Sequence, residues 1–141
     1  MKNLLFFTLT FLVSLTVVSQ SCLPEGITFT TQAEIDSFQI NYPYCTDIEG
    51  DLWIHGNTIT NLDGLNDLTS IGGKLKITSN STLTSLTGLN NVSYIGGNLE
   101  MYYNNALASL SGLENVTTIG GGIQISYSIG LTNLSENYVM C

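Results

Sequence analysis

Arginine is absent from the 141 residues, histidine and tryptophan occur once each, and proline occurs twice. The only lysines are Lys2, Lys74 and Lys76, against 11 acidic residues that all lie beyond residue 21. A chain this acidic has no electrostatic footprint for a phosphate backbone, which excludes nucleic acid as a partner and disfavours anionic membrane surfaces. No two cysteines have finger spacing and His55 stands alone, so no metal site and no cofactor are expected. The same shortage leaves serine and threonine without a His–Asp partner set for nucleophilic catalysis. Beyond residue 18 no apolar run is long enough to cross a bilayer, so no membrane insertion of the mature chain is expected.

The apolar run that does exist is at the start. Met1-Lys2-Asn3 is a short basic opening, Leu4 to Val18 is apolar apart from Thr and Ser, and Ser19-Gln20-Ser21 offers small residues for cleavage. Residues 1–21 therefore read as a secretory signal peptide, and the mature chain as secreted or on the cell surface. A lipoprotein with Cys22 modified would need a branched apolar residue three positions earlier, where Ser19 stands. Export permits disulfides. Cys22 and Cys45 bracket one short segment and are the expected pair, worth about 3 kcal/mol on a chain-entropy argument. Cys141 is left over, either as a terminal thiol or as one half of a bridge to sequence beyond the end.

What the chain has in quantity is repetition. Leu65-Asn66-Asp67-Leu68-Thr69-Ser70-Ile71-Gly72-Gly73 returns at Leu89 to Gly97 and again at Leu113 to Gly121, a period of 24 residues. A fixed period of this size is the signature of a solenoid. Leu75-x-Ile77, Leu99-x-Met101 and Ile123-x-Ile125 alternate with period two, as strands with one face inward do. Cys45 to Ile54 opens the first coil at an offset of 23, with the missing residue placed between Asn57 and Ile59. Cys45 takes the inward place later held by Leu68, Val92 and Val116. Between strands, Leu83, Leu86, Leu89, Val92 and Ile95 turn inward at spacing three, without a long helix. Asn57, Asn80 and Asn104 follow their strands at one fixed place, where a stacked amide ladder can bond neighbouring coils, and Ser128 interrupts it.

The fold expected is mainly β, a right-handed β-solenoid of about four coils of 23–24 residues over residues 45–135. Residues 22–44 should form an N-terminal cap, because an end coil exposes its apolar interior. In it Ile27 to Thr30 reads as a short edge strand, and Thr31 with Glu34 as a capping box. The helix that follows turns Ile35, Phe38 and Ile40 inward and stops before Pro43. Residues 136–141 break the pattern, which reads as a minimal or incomplete end.

Cys45-Thr46-Asp47-Ile48-Glu49-Gly50-Asp51-Leu52-Trp53-Ile54 resembles the opening Cys-x-x-Ile-x-Gly-x-Leu-x-Ile of receptor L domains, the ligand-binding solenoids of insulin- and EGF-receptor ectodomains. Leu75 to Leu86 also resembles an extracellular leucine-rich repeat, and the whole is similar to receptor-L-like proteins exported by Bacteroidetes-type bacteria. The resemblance implies the fold and export and says little about activity. It carries over no functional residue, since the match is confined to structural positions.

Function should therefore lie in the letters that fail to repeat. Outward columns of the main sheet hold Trp53, Lys76, Glu100 and Gln124, then His55, Thr78, Tyr102 and Ser126, with Tyr103 and Tyr127 at the corner. Trp53, His55, Lys76, Glu100, Tyr102, Tyr103 and Tyr127 are the candidate ligand face for an extracellular protein or glycan. Lys76 and Glu100 read as a cross-coil charge pair. Two readings compete with a binding or adhesion module. One is a purely structural repeat segment of a larger surface protein. The other is a β-helix polysaccharide-active enzyme, which would need an Arg or Lys base beside clustered Asp. Asp63 and Asp67 are not repeated and read as solvated turn residues, and the Asn-x-Ser/Thr sites read as composition.

Overall fold

A computed structural model describes residues 20–131. The chain is mainly β, with two parallel five-stranded sheets and little helix. One sheet is built from two-residue strands: β1 (Ser21–Cys22), β3 (Asp47–Ile48), β5 (Ser70–Ile71), β7 (Tyr94–Ile95) and β9 (Thr118–Ile119), in that spatial order. The other takes β2 (Ile27–Phe29), β4 (Leu52–Ile54), β6 (Leu75–Thr78), β8 (Leu99–Tyr102) and β10 (Ile123–Ser126). Each repeat contributes one strand to each sheet, so the strands of a sheet are one repeat apart. The register follows the sequence period: Leu52, Leu75, Leu99 and Ile123 are successive partners, as are Ile48, Ile71 and Ile95.

Alternation decides the faces. Leu52, Ile54, Leu75, Ile77 and Met101 are fully buried between the sheets, while Trp53, Lys76 and Glu100 point away. The spacing-three leucines follow the corner. Leu62, Leu65 and Leu68, then Leu86, Leu89 and Val92, are fully buried. Short 3₁₀ turns at Asp63–Leu65 and Thr87–Leu89 carry them, because three residues per turn bring every third side chain to one side. Cys45 is buried at its place in this series and bonded to Cys22, with 5.7 Å between their Cα atoms. Stacking at this closeness requires glycine. A Cβ on Gly96 would collide with the Gly72 carbonyl oxygen, and one on Gly88 with that of Leu62.

Before the repeats, α1 (Gln32–Asp36) begins with the expected capping box: Thr31 Oγ1 accepts from the Glu34 amide, and the Glu34 carboxylate accepts from the Thr30 and Thr31 amides. Those donations hold the Glu34 carboxyl below its ordinary value. The single helix expected to run to Tyr42 is instead interrupted at Ser37, whose hydroxyl donates to the Ala33 carbonyl at 2.6 Å. Such back-bonding bends a helix, and α2 (Phe38–Asn41) continues beyond it. Ile35 and Phe38 are buried, and Phe38 meets Phe29 edge-on at 5.7 Å. Ile40, expected inward, is 80% exposed. It lies two residues from Phe38, on the opposite side of the helical turn.

Asparagine ties the repeats together, though not at all the expected places. Asn80 and Asn104 are fully buried. Asn80 donates from its amide N and from Nδ2 to Asn104 Oδ1 at 3.2 and 3.0 Å, and Nδ2 also reaches the Ile54 carbonyl. Asn104 Nδ2 donates to the Ile77 carbonyl at 2.8 Å. Asn57 is exposed and lies beside Ser81 rather than Asn80. The residue the short repeat lacks is thus its ladder asparagine, and not one between Asn57 and Ile59. Ser128 does not simply interrupt the ladder, since its hydroxyl accepts from the Asn104 amide at 3.3 Å. A second ladder, unforeseen from sequence, runs along the outside: Asn91 Nδ2 donates to the Asn66 carbonyl and Asn115 Nδ2 to that of Asn90.

In the last described repeat the inward residues are only half-buried. Leu110, Leu113, Val116, Ile119, Ile123 and Ile125 border an apolar groove of about 350 Å³. The expectations for the signal segment, for residues 136–141 and for Cys141 fall outside the described residues, save for the signal's last two residues.

Candidate functional site

The long-stranded sheet puts Thr28, Trp53, Lys76, Glu100 and Gln124 in one outward row by direct register. Thr78, Tyr102 and Ser126 form the next. His55, expected to head the second row, lies beyond the paired residues, and Thr78 is buried; the contacts within the rows sort into three groups.

The first group surrounds Trp53. Its Nε1 donates to Thr78 Oγ1 at 2.9 Å, across to the neighbouring strand. The His55 ring lies 4.5 Å from the indole, tilted by 33°, and Lys76 Nζ sits 4.4 Å from its centroid. A cation over indole at a partly exposed site contributes about 0.5–1 kcal/mol. Trp53 thus keeps 36% of its surface exposed while three neighbours fix its orientation.

The expected pairing of Lys76 with Glu100 does not form. Lys74 takes Glu100, at 3.9 Å. Lys76 shares the outward row with both Trp53 and Glu100, and the indole face captures it. A groove of about 310 Å³ beside this group is lined by Trp53, Lys74, Lys76, Glu25, Asp51 and Glu100. It gathers both lysines of the described residues and three carboxylates into one mixed-charge surface. Lys74, Glu25 and Asp51 were missed because they precede strands, where the repeat pattern reads only corners. Asp51 also has a structural task there, its Oδ1 accepting from the Lys74 amide at 2.7 Å.

The second group is Tyr102, whose hydroxyl donates to Gln124 Oε1. Burial and then the Glu100 charge raise its phenol above the ordinary value, so it is a hydrogen-bond donor at neutral pH. The third group is at the corner. Tyr103 and Tyr127 stack with ring centroids 4.9 Å apart and planes 10° from parallel. Both are held at positive φ, 58° and 51°, a region bulky side chains rarely adopt. Ser79 occupies the same corner one repeat earlier with φ 58°. The structure therefore brings Trp53, His55 and Lys76 together and joins Tyr103 to Tyr127, but shows no contact linking these groups to each other.

For chemistry, the described residues offer little convergence. No group of three or more His, Cys, Asp or Glu side chains among them could hold a metal ion. Asp63 opens a 3₁₀ turn, where Asn61 Oδ1 accepts from its amide, and Asp67 is exposed. Among the described residues no helix is long and apolar enough to cross a membrane.

Residues 44–108 match the family model described as Receptor L domain. The matched segment begins just before Cys45 and includes every candidate residue except Tyr127. It spans β3 through β8 and leaves out the helices and the last described repeat. No curated protein and no solved structure matches the chain.

Proposed function

We propose that the chain is an exported, non-enzymatic binding or adhesion module that captures its partner on the outward face of the long-stranded sheet. The receptor L-domain likeness of residues 44–108 supports a ligand-binding role. In the same reading, the two sheets are walls of a right-handed solenoid of about four coils over 45–135, capped by 22–44 and delivered by the signal over 1–21. The parallel pairing of strands one repeat apart supports the solenoid, and the strong preference of parallel crossovers for one hand supports its sense.

One observation carries the choice of face. Trp53, in an outward row, is oriented by Thr78, His55 and Lys76 and stands beside a mixed-charge groove. Tryptophan is among the residue types enriched at the energetic centres of protein interfaces. His55 and Lys76 already occupy much of the indole's stacking surface, so this face suits a protein partner better than a pyranose.

The test is capture of extracellular proteins by the purified chain, comparing the native sequence with Trp53→Ala. Loss of at least about thirtyfold in affinity is expected, equivalent to about 2 kcal/mol, with the thermal midpoint lowered by only a few degrees. Equal capture by both proteins would move the site elsewhere. Absence of capture by the native chain would leave the structural repeat segment as the better account.

A further inference from the structure

The stack of described repeats is covered at one end and open at the other. At the start, α1 and α2 pack on the 3₁₀ turn Asp63–Leu65 and bury Ile35 and Phe38. In the last described repeat Leu110, Leu113 and Val116 are only partly buried, and they line the apolar groove of about 350 Å³. Their counterparts one repeat earlier, Leu86, Leu89 and Val92, are fully buried. The residues are alike in kind, so the difference lies in cover. The earlier three have the next repeat laid over them, with Gly112 against the Leu86 carbonyl. An apolar interior left open at the end of a repeat stack calls for a covering layer.

The chain itself leads to that layer. One turn opens every spacing-three series. The Ile59 amide donates to the Gly56 carbonyl at 3.2 Å, Leu83 to Asn80 at 3.4 Å, and Leu107 to Asn104 at 3.2 Å. Leu131 makes the same bond to the Ser128 carbonyl at 3.1 Å and packs against the core. Ser128 stands at the ladder place, its hydroxyl accepting from the Asn104 amide as Asn104 Oδ1 accepts from that of Asn80. The described residues thus run one residue into a further series.

Residues 132–141 follow Leu131 in sequence. The offset of 24 pairs Leu134 with Leu110, Asn137 with Leu113 and Met140 with Val116. Met140 so takes the place held in turn by Cys45, Leu68, Val92 and Val116. Only Asn137 departs from the apolar pattern. Other occupants are less well served. A second copy cannot stack head to tail, because α1 and α2 cover the end it would present. Two copies meeting groove to groove would each have to clear the chain that continues from Leu131. A tethered segment also acts at an effective concentration of about millimolar, which a separate molecule rarely reaches.

We propose that residues 132–141 dock on the open end as the covering layer, with Leu134 and Met140 closing the groove over Leu110 and Val116. The test uses Cys141, the cysteine outside the Cys22–Cys45 bridge, as the attachment point for a nitroxide on the full chain. Methyl NMR should show the Val116 and Ile119 signals broadened away and those of Ile27 and Ile35, at the covered end, unchanged. Leu134→Asp with Met140→Asp should restore the lost signals and lower the thermal midpoint by about 5 °C. Asn137→Leu, which completes the apolar series, should raise the midpoint by about 3 °C. A mixture of nitroxide-bearing chains and separate isotope-labelled chains should show no broadening. The proposal is overturned if Val116 and Ile119 keep full intensity in the native chain, or if broadening survives the double substitution. It is overturned equally if Asn137→Leu lowers the midpoint, or if the mixture shows the broadening, which would make a second copy the occupant.

Discussion

Two asparagine ladders run through this molecule, one buried and linked directly from Asn80 to Asn104, the other exposed and bonded only to the backbone. Asn80 and Asn104 on one side, Asn91 and Asn115 on the other, each send Nδ2 to a backbone carbonyl of the preceding repeat. The donor, the acceptor type and the spacing of 24 are the same. The first pair is fully buried and the second is exposed. Water can replace the outer bonds but not the inner ones, so the same chemistry should be structural in one place and nearly decorative in the other.

The largest effect should come from Asn104→Ala. It removes the acceptor for two buried Asn80 donors and the Nδ2 donation to the Ile77 carbonyl. A loss of about 3 kcal/mol is expected, read as a lower urea midpoint at unchanged slope. Asn115→Ala, measured in the same way, should cost about 0.5 kcal/mol. Equal losses at the two sites would mean that burial does not decide the matter.

A smaller effect tests the exposed side further. The Asp47 carboxylate, on the short-stranded sheet, accepts from the hydroxyls of Ser70 and Thr69 at 2.7 Å and of Thr46 at 3.1 Å. Burial pushes its pKa up, and the three hydroxyl donations outweigh that, so it lies below its ordinary value in the folded protein. A depressed folded pKa contributes stability that is present above the unfolded value and disappears as pH falls through the folded one. Asp47→Asn should therefore flatten the decline in stability below about pH 4. Solvent screening limits the difference to about 0.3 kcal/mol. A steeper acid limb in the variant would reverse the assigned sign.

What could be read from the sequence tracks what is written in every repeat. Leu75, Leu99 and Ile123 fix the long-stranded sheet and its register because an apolar residue at a constant offset has only one place to go. Thr31 with Glu34 was legible for a similar reason, being a local signal that needs no tertiary information. The pairing of Lys76 was not. Both Trp53 and Glu100 flank it in the register, and only side-chain geometry decides that the indole takes Lys76 while Lys74 takes Glu100. Ile40 misled because hydrophobicity alone does not say which side of a helix faces the core. Asn91 and Asn115 were visible as letters but masked by their neighbours: a sequon and a loop asparagine look identical.

The short first repeat is a one-residue deletion preserved in the molecule, and its effect can be located. Strand pairing on either side is untouched, as Ile54 still faces Ile77. The loss falls on the corner, where Asn57 stands beside Ser81 and Asn80 Oδ1 is left buried without a partner. A chain built this way has unequal tolerances to change in length. Whole units of 24 can be added or removed with every ladder intact. A single residue can vanish only at a corner, and there it leaves one orphaned oxygen as its trace. Inside a strand the same loss would turn every following side chain to the wrong face. Copying in whole units is therefore the route by which such a sequence can lengthen.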